Sequence, residues 1–232
     1  MRTIGLIGGM SWESSLLYYK IINERVKKQL GGLHSAQCLM YSVDFTEVER
    51  LQHYNEWDKL TEMMIDIARR LKNGGADFIV ICTNTMHRMA EDIQREAGID
   101  ILHIAEATGR EVSRQGLKRV GLLGTRFTME GEFFKQILSE KFGIEAIIPQ
   151  PEEREEIHRI IYEELCKGDI QSNSKDTYLR VIHNLGLKGA EGVILGCTEI
   201  SMLINQRDTN IPLFDTTEIH ANAAVDLALQ LL

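Results

Sequence analysis

Short runs of consecutive apolar residues alternate along this chain with longer stretches in which apolar residues recur every three or four positions. The runs at 3–8 and 78–82 are each followed by glycines or small polar residues, which is typical of buried parallel strands. The stretches 12–30 and 57–73 have the period of helices that bury one face. Strands alternating with helices of these lengths predict an α/β fold of doubly wound, mostly parallel sheets.

The same pattern predicts the remaining elements. Further strands are expected at 38–43, 101–104, 120–123, 146–148, 193–195 and 213–215. Further helices are expected at 88–96, 106–115, 127–142, 152–167, 175–186 and 217–232, with a loop or short helix ending near residue 53. In the helix 12–30, Ser11 is predicted to cap the start. Its apolar positions with helical period are Leu16, Tyr19, Ile22, Val26 and Leu30.

Two segments of the chain occur twice. The segment 75–86, GADFIVICTNTM, returns at 189–200 as GAEGVILGCTEI, and the segment 3–9 returns at 119–125. Aligning the longer pair from its shared Gly-Ala places Thr83 opposite Cys197. A duplication of this kind predicts two similar domains, each contributing half of one site. We expect the first domain at 1–99 plus 210–232 and the second at 100–209, so that the chain passes between the domains twice.

Composition narrows the class of protein. The 232 residues carry a net charge of −8 and contain no basic run, which argues against nucleic acid and anionic membrane surfaces as partners. No apolar run approaches the length of roughly 20 residues that a membrane helix requires. The four cysteines follow neither a disulfide nor a zinc spacing. These observations predict a reduced cytoplasmic protein.

The repeated turns are the candidate ligand site. In open α/β sheets, ligands bind beyond the carboxyl ends of strands, where helix N-termini present backbone N–H groups. A small anionic ligand there needs no metal or large cofactor, and the spacing of Gly5, Gly8 and Gly9 does not match a dinucleotide fingerprint. Each residue taken singly also fits a tight turn or a helix cap. The candidates are Gly9, Met10, Ser11, Thr83, Asn84, Thr85, Cys197 and Thr198.

Cys197 and Cys82 are predicted to have different roles. A helix N-terminus after Cys197 could lower its thiol pKa from about 8.5 toward neutrality, although an inert core cysteine is also compatible with the sequence. Cys82 comes one residue too early to match Cys197. Because successive side chains of a strand point to opposite faces, Cys82 is predicted to be core and Thr83 to face Cys197.

Two further polar residues leave alternatives open. His87 either contacts the ligand or caps its helix. Glu199 either helps Cys197 as a general acid or is a helix N-terminal charge stabilised by the dipole, and the second reading is favoured. His103, His158 and His220 are predicted to be structural or solvated.

Four motifs carry a family resemblance over the whole chain: GLIGGMSWES at the start, CTNTMH, GCTEI and FDTTEIHA. They resemble the aspartate racemase branch of the cofactor-independent aspartate/glutamate racemase superfamily. The resemblance implies two Rossmann-like domains related by pseudo-twofold symmetry, usually in a homodimer. It also implies an amino-acid substrate with a side-chain carboxylate, held in the cleft between the domains. One cysteine per half moves the α-proton, without pyridoxal phosphate.

The chain departs from the family pattern at one catalytic position. Thr83 stands where the family has its first cysteine, and Cys197 matches the second. The resemblance therefore implies that Cys197 is the base for the L enantiomer and that Thr83 lies on the D side. A threonine hydroxyl is too weak an acid to supply a base at neutral pH, although it can donate or relay a proton.

The substrate carboxylates need donors, and the family also suggests rival activities. Turn amides with Thr85 or Thr198 are candidates for the α-carboxylate. Arg50 or Gln52, and Lys167, are candidates for the side-chain carboxylate. A single catalytic cysteine is also compatible with a decarboxylase or a cis-trans isomerase of the same scaffold. The missing cysteine is compatible with a non-catalytic protein that binds acidic amino acids.

Overall fold

The computed structural model describes residues 1–231, which form two compact units. Unit 1 consists of Met1–Ile104 together with the chain from His220 on, and unit 2 is the intervening Ala105–Ile219. Both changes of unit come somewhat later in the chain than the boundaries expected from the sequence. They fall within the two helices Ile104–Arg114 and Thr216–Leu229.

Unit 1 is built on a sheet of three parallel strands in the order β2-β1-β3. The strands are β1 (Ile4–Gly8), β2 (Cys38–Ser42) and β3 (Phe78–Ile81). The helices are α1 (Trp12–Leu30), α2 (Phe45–His53), α3 (Trp57–Asn73) and α4 (Ala90–Ala97), with a 3₁₀ helix at Thr85–Met89. The strand predicted at 101–104 is wrong. Ile101 makes an isolated parallel bridge to Ile79, and helix α5 (Ile104–Arg114) begins before a strand can form.

Unit 2 has four parallel strands in the order β5-β4-β6-β7. The strands are β4 (Arg119–Gly124), β5 (Glu145–Ile147), β6 (Gly192–Gly196) and β7 (Leu213–Asp215). The helices are α6 (Arg126–Glu130), α7 (Glu132–Phe142), α8 (Pro151–Glu163), α9 (Ser172–Leu187) and α10 (Ile200–Leu203). Helix α11 (Thr216–Leu229) begins in unit 2 and continues into unit 1. Two 3₁₀ helices lie at Leu165–Lys167 and Gln206–Asp208. The predicted α/β class with parallel sheets is confirmed.

The duplication seen in the sequence extends to strand register. In unit 1, Ile4 pairs with Phe78, and in unit 2 the corresponding residues Val120 and Gly192 pair in the same way. The isolated bridge at Ile101 occupies the place beside β3 that β7 occupies beside β6. Both units therefore use one strand order, although its last member in unit 1 is reduced to a single bridge.

Three predicted helices differ from the structure. The helix 127–142 is divided into α6 and α7 because Gly131 adopts an extended conformation between them. The helix 152–167 ends at Glu163, since Glu164 leaves helical geometry and its buried carboxylate accepts hydrogen bonds from Ser174 and Arg159. The final helix ends at Leu229, and its predicted end at 232 lies outside the described residues. Within residues 1–231, no helix has both the length and the apolar character needed to cross a membrane.

Helix α1 buries a different face from the one its apolar residues suggest. Its fully buried apolar side chains are Tyr18, Ile22 and Val26. Leu16 and Tyr19 are 57% and 47% exposed, so the predicted stripe is wrong at these positions, and Leu30 is also exposed. The reason is that Ser14 and Ser15 occupy the inward positions of the first turn, where they bond to the turn after β1.

Candidate functional site

In each unit, the side chains singled out from the sequence directly follow the carboxyl ends of strands. In unit 1 they follow β1 and β3, and in unit 2 the Cys197 turn follows β6. Because β1 pairs in parallel with β3, and β4 with β6, the turns after each pair lie at one edge of their sheet. This is the edge at which open α/β sheets bind ligands.

Gly9 and Ser15 hold the turn that follows β1. Gly9 has a φ of +89°, and a Cβ there would lie 2.3 Å from the Val43 carbonyl oxygen, so only glycine fits. The Gly9 N–H donates to Ser15 Oγ at 2.7 Å, and that hydroxyl donates to the Ser11 carbonyl at 2.9 Å. Ser11 Oγ accepts from the Ser14 N–H at 3.3 Å, which confirms it as the cap of α1. The Gly9 amide thus already has a partner within unit 1.

The turn after β3 separates a core cysteine from an accessible threonine. Cys82 is fully buried, and burial raises the pKa of its thiol. Asn84 and Thr85 are also buried, whereas Thr83 is partly exposed. The prediction that Cys82 belongs to the core is confirmed. Of Cys82 and Thr83, Thr83 is therefore the residue that solvent can reach.

Two other predicted substrate-binding residues, Met10 and Gln52, are buried in unit 1. Gln52 lies on α2, and its Nε2 donates to Met86 Sδ at 3.4 Å in the 3₁₀ helix that follows β3. Arg50, the charged alternative on the same helix, is exposed. The structure therefore brings the neutral amide to the 3₁₀ helix that follows Thr83, whereas the guanidinium is exposed.

His87 supports the Thr83 backbone. Its Nδ1 is 2.8 Å from the Thr83 carbonyl oxygen, which can only accept, so Nδ1 carries the proton. His87 is buried, and its ring lies 4.8 Å from that of His103 and 5.4 Å from that of His220. Burial, and then His103, lower the pKa of His87, which keeps the ring neutral.

His220, predicted to be structural or solvated, is fully buried in unit 1 with both nitrogens bonded. Nε2 donates to the Leu102 carbonyl at 2.7 Å, so Nδ1 accepts from the Tyr18 hydroxyl at 2.9 Å. Burial, and then the neighbouring His87 ring, which disfavours a second positive charge, lower the pKa of His220 from 6.5 to about 3. The ring is therefore a neutral part of the core.

We expect the stability of the protein to fall on acidification because of His220. The unfolded chain binds a proton near pH 6.5, whereas folded His220 does not until about pH 3. Its contribution is complete above pH 6.5 and declines by about 1.4 kcal/mol per pH unit below it. Urea unfolding measured across this range should show a shallower pH slope in His220→Gln than in the wild type. The exposed control His34→Gln should keep the wild-type slope, and equal slopes in all three chains would contradict the assignment.

Cys197 begins the turn after β6, and its thiol has a carboxylate partner. Cys197 Sγ donates to Glu199 Oε2 at 3.0 Å, and Thr198 Oγ1 donates to the same oxygen at 2.7 Å. All three residues are buried. Burial, and then the charge of Glu199, raise the pKa of the Cys197 thiol well above its ordinary value. The thiol is thus protonated at neutral pH and directs its proton at a carboxylate.

This geometry corrects one interpretation of the sequence. A helix N-terminus does not lower the pKa of Cys197, because α10 has only four residues and the thiol is buried beside a negative charge. Glu199 stands at the N-cap position of α10, where the favoured interpretation expects it. Its side chain makes no capping bond to α10 and instead accepts bonds from Cys197 and Thr198.

Lys167 and Asp215 lie in the segments around the Cys197 turn. Lys167 is exposed at the end of a 3₁₀ helix that packs against α10. Asp215 ends β7 beside Leu195, and its Oδ1 accepts from the Thr217 N–H at 2.8 Å. Burial raises the pKa of Asp215. No role for Asp215 follows from the sequence alone, although an acidic residue directly after an apolar run marks the carboxyl end of a strand.

The structure thus groups the predicted residues by unit. Gln52 lies with the Thr83–Thr85 turn in unit 1, and Thr198 lies with Cys197 in unit 2. Among residues 1–231, no three His, Cys, Asp or Glu side chains are arranged to hold a metal ion. The arrangement can supply hydroxyl, amide and thiol groups to a small polar ligand.

Comparison with known proteins covers almost the entire chain. The family model of the Asp/Glu/hydantoin racemases matches residues 7–224. A solved structure of a candidate Asp/Glu racemase from Yersinia pestis is 53% identical, with a TM-score of 0.92 over 99% of this chain and 100% of that one. An aspartate racemase homologue from Pyrococcus horikoshii OT3 is 36% identical, with a TM-score of 0.85 and the same coverage. The broad specificity amino-acid racemase RacX of Bacillus subtilis (strain 168) is 23% identical over 97% of this chain and 98% of RacX.

Proposed function

The chain belongs to the Asp/Glu/hydantoin racemase family and is an isomerase, and we propose that it racemises aspartate and glutamate in the cytoplasm without a cofactor. Cys197 removes and returns the α-proton of the L enantiomer. Thr83 serves the D side. The reaction is a pair of proton transfers at one carbon, so it consumes no other reagent.

The observation that carries this proposal is the buried thiol–carboxylate pair of Cys197 and Glu199. An α-proton is a weak acid, and a strong base held away from water is needed to remove it. Raising the pKa of Cys197 makes its thiolate a stronger base, provided that the thiol proton has an acceptor. Glu199 Oε2, 3.0 Å from Sγ, is placed to accept that proton. The thiolate then takes the α-proton and leaves a carbanion.

Because of Thr83, removal of the α-proton from the L enantiomer and from the D enantiomer are chemically unequal steps. Its hydroxyl can donate or relay a proton to the carbanion, but it cannot persist as an alkoxide base at neutral pH. The bond from His87 to the Thr83 carbonyl holds the backbone and leaves the hydroxyl available. Removal of the α-proton from the L enantiomer is therefore the faster chemical event.

Hydroxyl and amide donors at the same strand ends bind the substrate. We assign the α-carboxylate to the Thr85 hydroxyl and the Thr198 backbone amide, with Asn84 and the Met10 and Ser11 amides as further donors. We assign the side-chain carboxylate to Gln52 and Lys167. Because Gln52 carries no charge, the site tolerates more than one substrate side chain, as the name of the broad specificity racemase RacX indicates for that relative. A chiral assay of both enantiomers across acidic and neutral amino acids tests this, and turnover of neutral substrates only would contradict it.

Glu199→Gln should raise the alkylation rate of Cys197 and lower the rate of α-proton exchange. Removing the carboxylate charge lowers the thiol pKa, so alkylation of Cys197 by iodoacetamide at fixed pH becomes faster. Removing the proton acceptor slows α-proton exchange of the L substrate by about 100-fold or more. Peptide mass spectrometry measures the first, and proton NMR in heavy water measures the second. The exposed control Glu163→Gln should change neither rate. An increase in both rates would show that Glu199 acts on Cys197 only through its charge and does not accept the proton.

We also propose that the protein is a homodimer that uses the outer face of α1. Trp12, Leu16 and Tyr19 lie at i, i+4 and i+7 and are 63%, 57% and 47% exposed. An apolar stripe left uncovered on a helix usually marks an interface. Sedimentation equilibrium should give twice the chain mass for the wild type and the single-chain mass for Leu16→Glu. The fully exposed control Leu33→Glu should remain dimeric, and a dimer in both variants would exclude this face.

A further inference from the structure

Tyr178, in the first half of α9, has a buried hydroxyl that needs an explanation. The residue is fully buried, and within residues 1–231 its hydroxyl oxygen has no hydrogen-bond partner. An unsatisfied buried donor is costly, and native proteins rarely retain one without a functional reason. Phenylalanine has the same shape without the hydroxyl, so packing alone does not account for tyrosine at this position.

The surroundings of Tyr178 contain the reactive thiol. Helix α9 packs against β6, and Tyr178 belongs to the same packed core as Leu195 and Cys197 at the carboxyl end of that strand. Helices that precede a strand in a parallel sheet run opposite to it, which brings the start of α9 to this end. Burial first, and then the charges of Cys197, Cys166, Glu199 and Glu164, raise the pKa of Tyr178 well above its ordinary value. Its phenol therefore stays protonated and keeps a proton to donate.

Among these groups, Cys197 is the one that the proposed reaction turns into a thiolate. The resting thiol uses its proton in the bond to Glu199 Oε2, and a thiolate at that place would need a hydrogen-bond donor in a buried site. Glu164 already accepts from Arg159 at 3.0 Å and from Ser174. Glu199 likewise already accepts from Thr198.

We propose that Tyr178 donates a hydrogen bond to Cys197 Sγ when the thiol proton has passed to Glu199, and that it thereby stabilises the thiolate. Tyr178 is a positioning residue, since it acts through Cys197 and not on the substrate. The inference rests on the proposed role of Cys197 as a base. In the resting protein the Tyr178 hydroxyl is left unpaired, because its hydrogen bond forms only when Cys197 becomes a thiolate.

The test is Tyr178→Phe in the intact protein, with alkylation of Cys197 as the first readout. A hydrogen bond to a charged atom lowers its pKa by about one to two pH units, and lower nucleophilicity offsets about half of that gain. Losing the bond should therefore slow iodoacetamide alkylation of Cys197 at fixed pH by about 3- to 15-fold. The melting temperature should stay equal or rise, because an unsatisfied hydroxyl is removed. Tyr162→Phe, a half-buried tyrosine of the same unit, is the control and should match the wild type.

A raised melting temperature with an unchanged alkylation rate would overturn the inference, because Tyr178 would then be only an unsatisfied core group. Alkylation needs no turnover, so this result is separable from a failure of the racemase assignment, which would appear as absent α-proton exchange in the wild type. Carbon-13 NMR of the six tyrosine Cζ atoms adds a measurement that does not depend on folding of the variant. One resonance should titrate with Cys197 in the wild type and should not titrate in Cys197→Ala. Identical titrations in both chains would also overturn the inference.

Discussion

We expect replacement of Cys197 with serine to lower α-proton exchange of L-aspartate or L-glutamate by at least about 10³-fold, because the proposed base is lost. A serine hydroxyl can keep the hydrogen bond to Glu199, so the local structure is retained. Its proton is far less acidic than that of a thiol, and no useful alkoxide forms at neutral pH. The measurement is loss of the α-proton signal of each L substrate in heavy water, followed by NMR.

The matched control for this prediction is Cys38→Ser. Cys38 is a half-buried cysteine at the start of β2 in unit 1, and it has no assigned part in the reaction. Its exchange rate should equal that of the wild type. Exchange in Cys197→Ser within tenfold of the wild type would remove Cys197 as the base. It would direct attention to Glu199 as the base.

Thr83→Cys raises racemisation by about 10²-fold or more, because it supplies a thiol base on the D side. Enantiomers have equal free energy, so the efficiency of the overall reaction must rise equally in both directions. Exchange of the L substrate should change little, since the proposal assigns that step to Cys197. Chiral chromatography measures racemisation, and NMR in heavy water measures exchange of each enantiomer separately.

The exchange and racemisation rates of the wild type are the reference for this prediction. The L substrate should exchange its α-hydrogen faster than it racemises, whereas the D substrate should exchange slowly. Thr83→Ala is the control, since it should lose racemisation and keep L exchange. Equal and fast exchange of both enantiomers by the wild type would show that the two sides are already balanced, and the asymmetric-base proposal would fail.

The local pattern of apolar and polar residues predicted most of the helices and strands. Helices α1 and α3 have the bounds that their apolar periodicity and flanking glycines predict, because both signals act within a few residues. The internal repeat predicted which strands correspond, and the structure pairs Ile4 with Phe78 and Val120 with Gly192 accordingly. Strand alternation alone was enough to place Cys82 in the core. The strand predicted at 101–104 failed because an apolar run does not distinguish a strand from a helix start.

The chemistry of the Cys197 turn depended on the tertiary structure. The direction of the Cys197 pKa follows from burial and from the position of the Glu199 carboxylate, neither of which a sequence pattern encodes. The unpaired hydroxyl of Tyr178 becomes visible only when α9 is packed against β6. The sequence by itself determined the α/β class, the duplication and which turns carry reactive side chains, because these are set by periodicity and spacing. Tertiary structure decided the protonation of those side chains and the exposed face of α1, because both depend on contacts between distant parts of the chain.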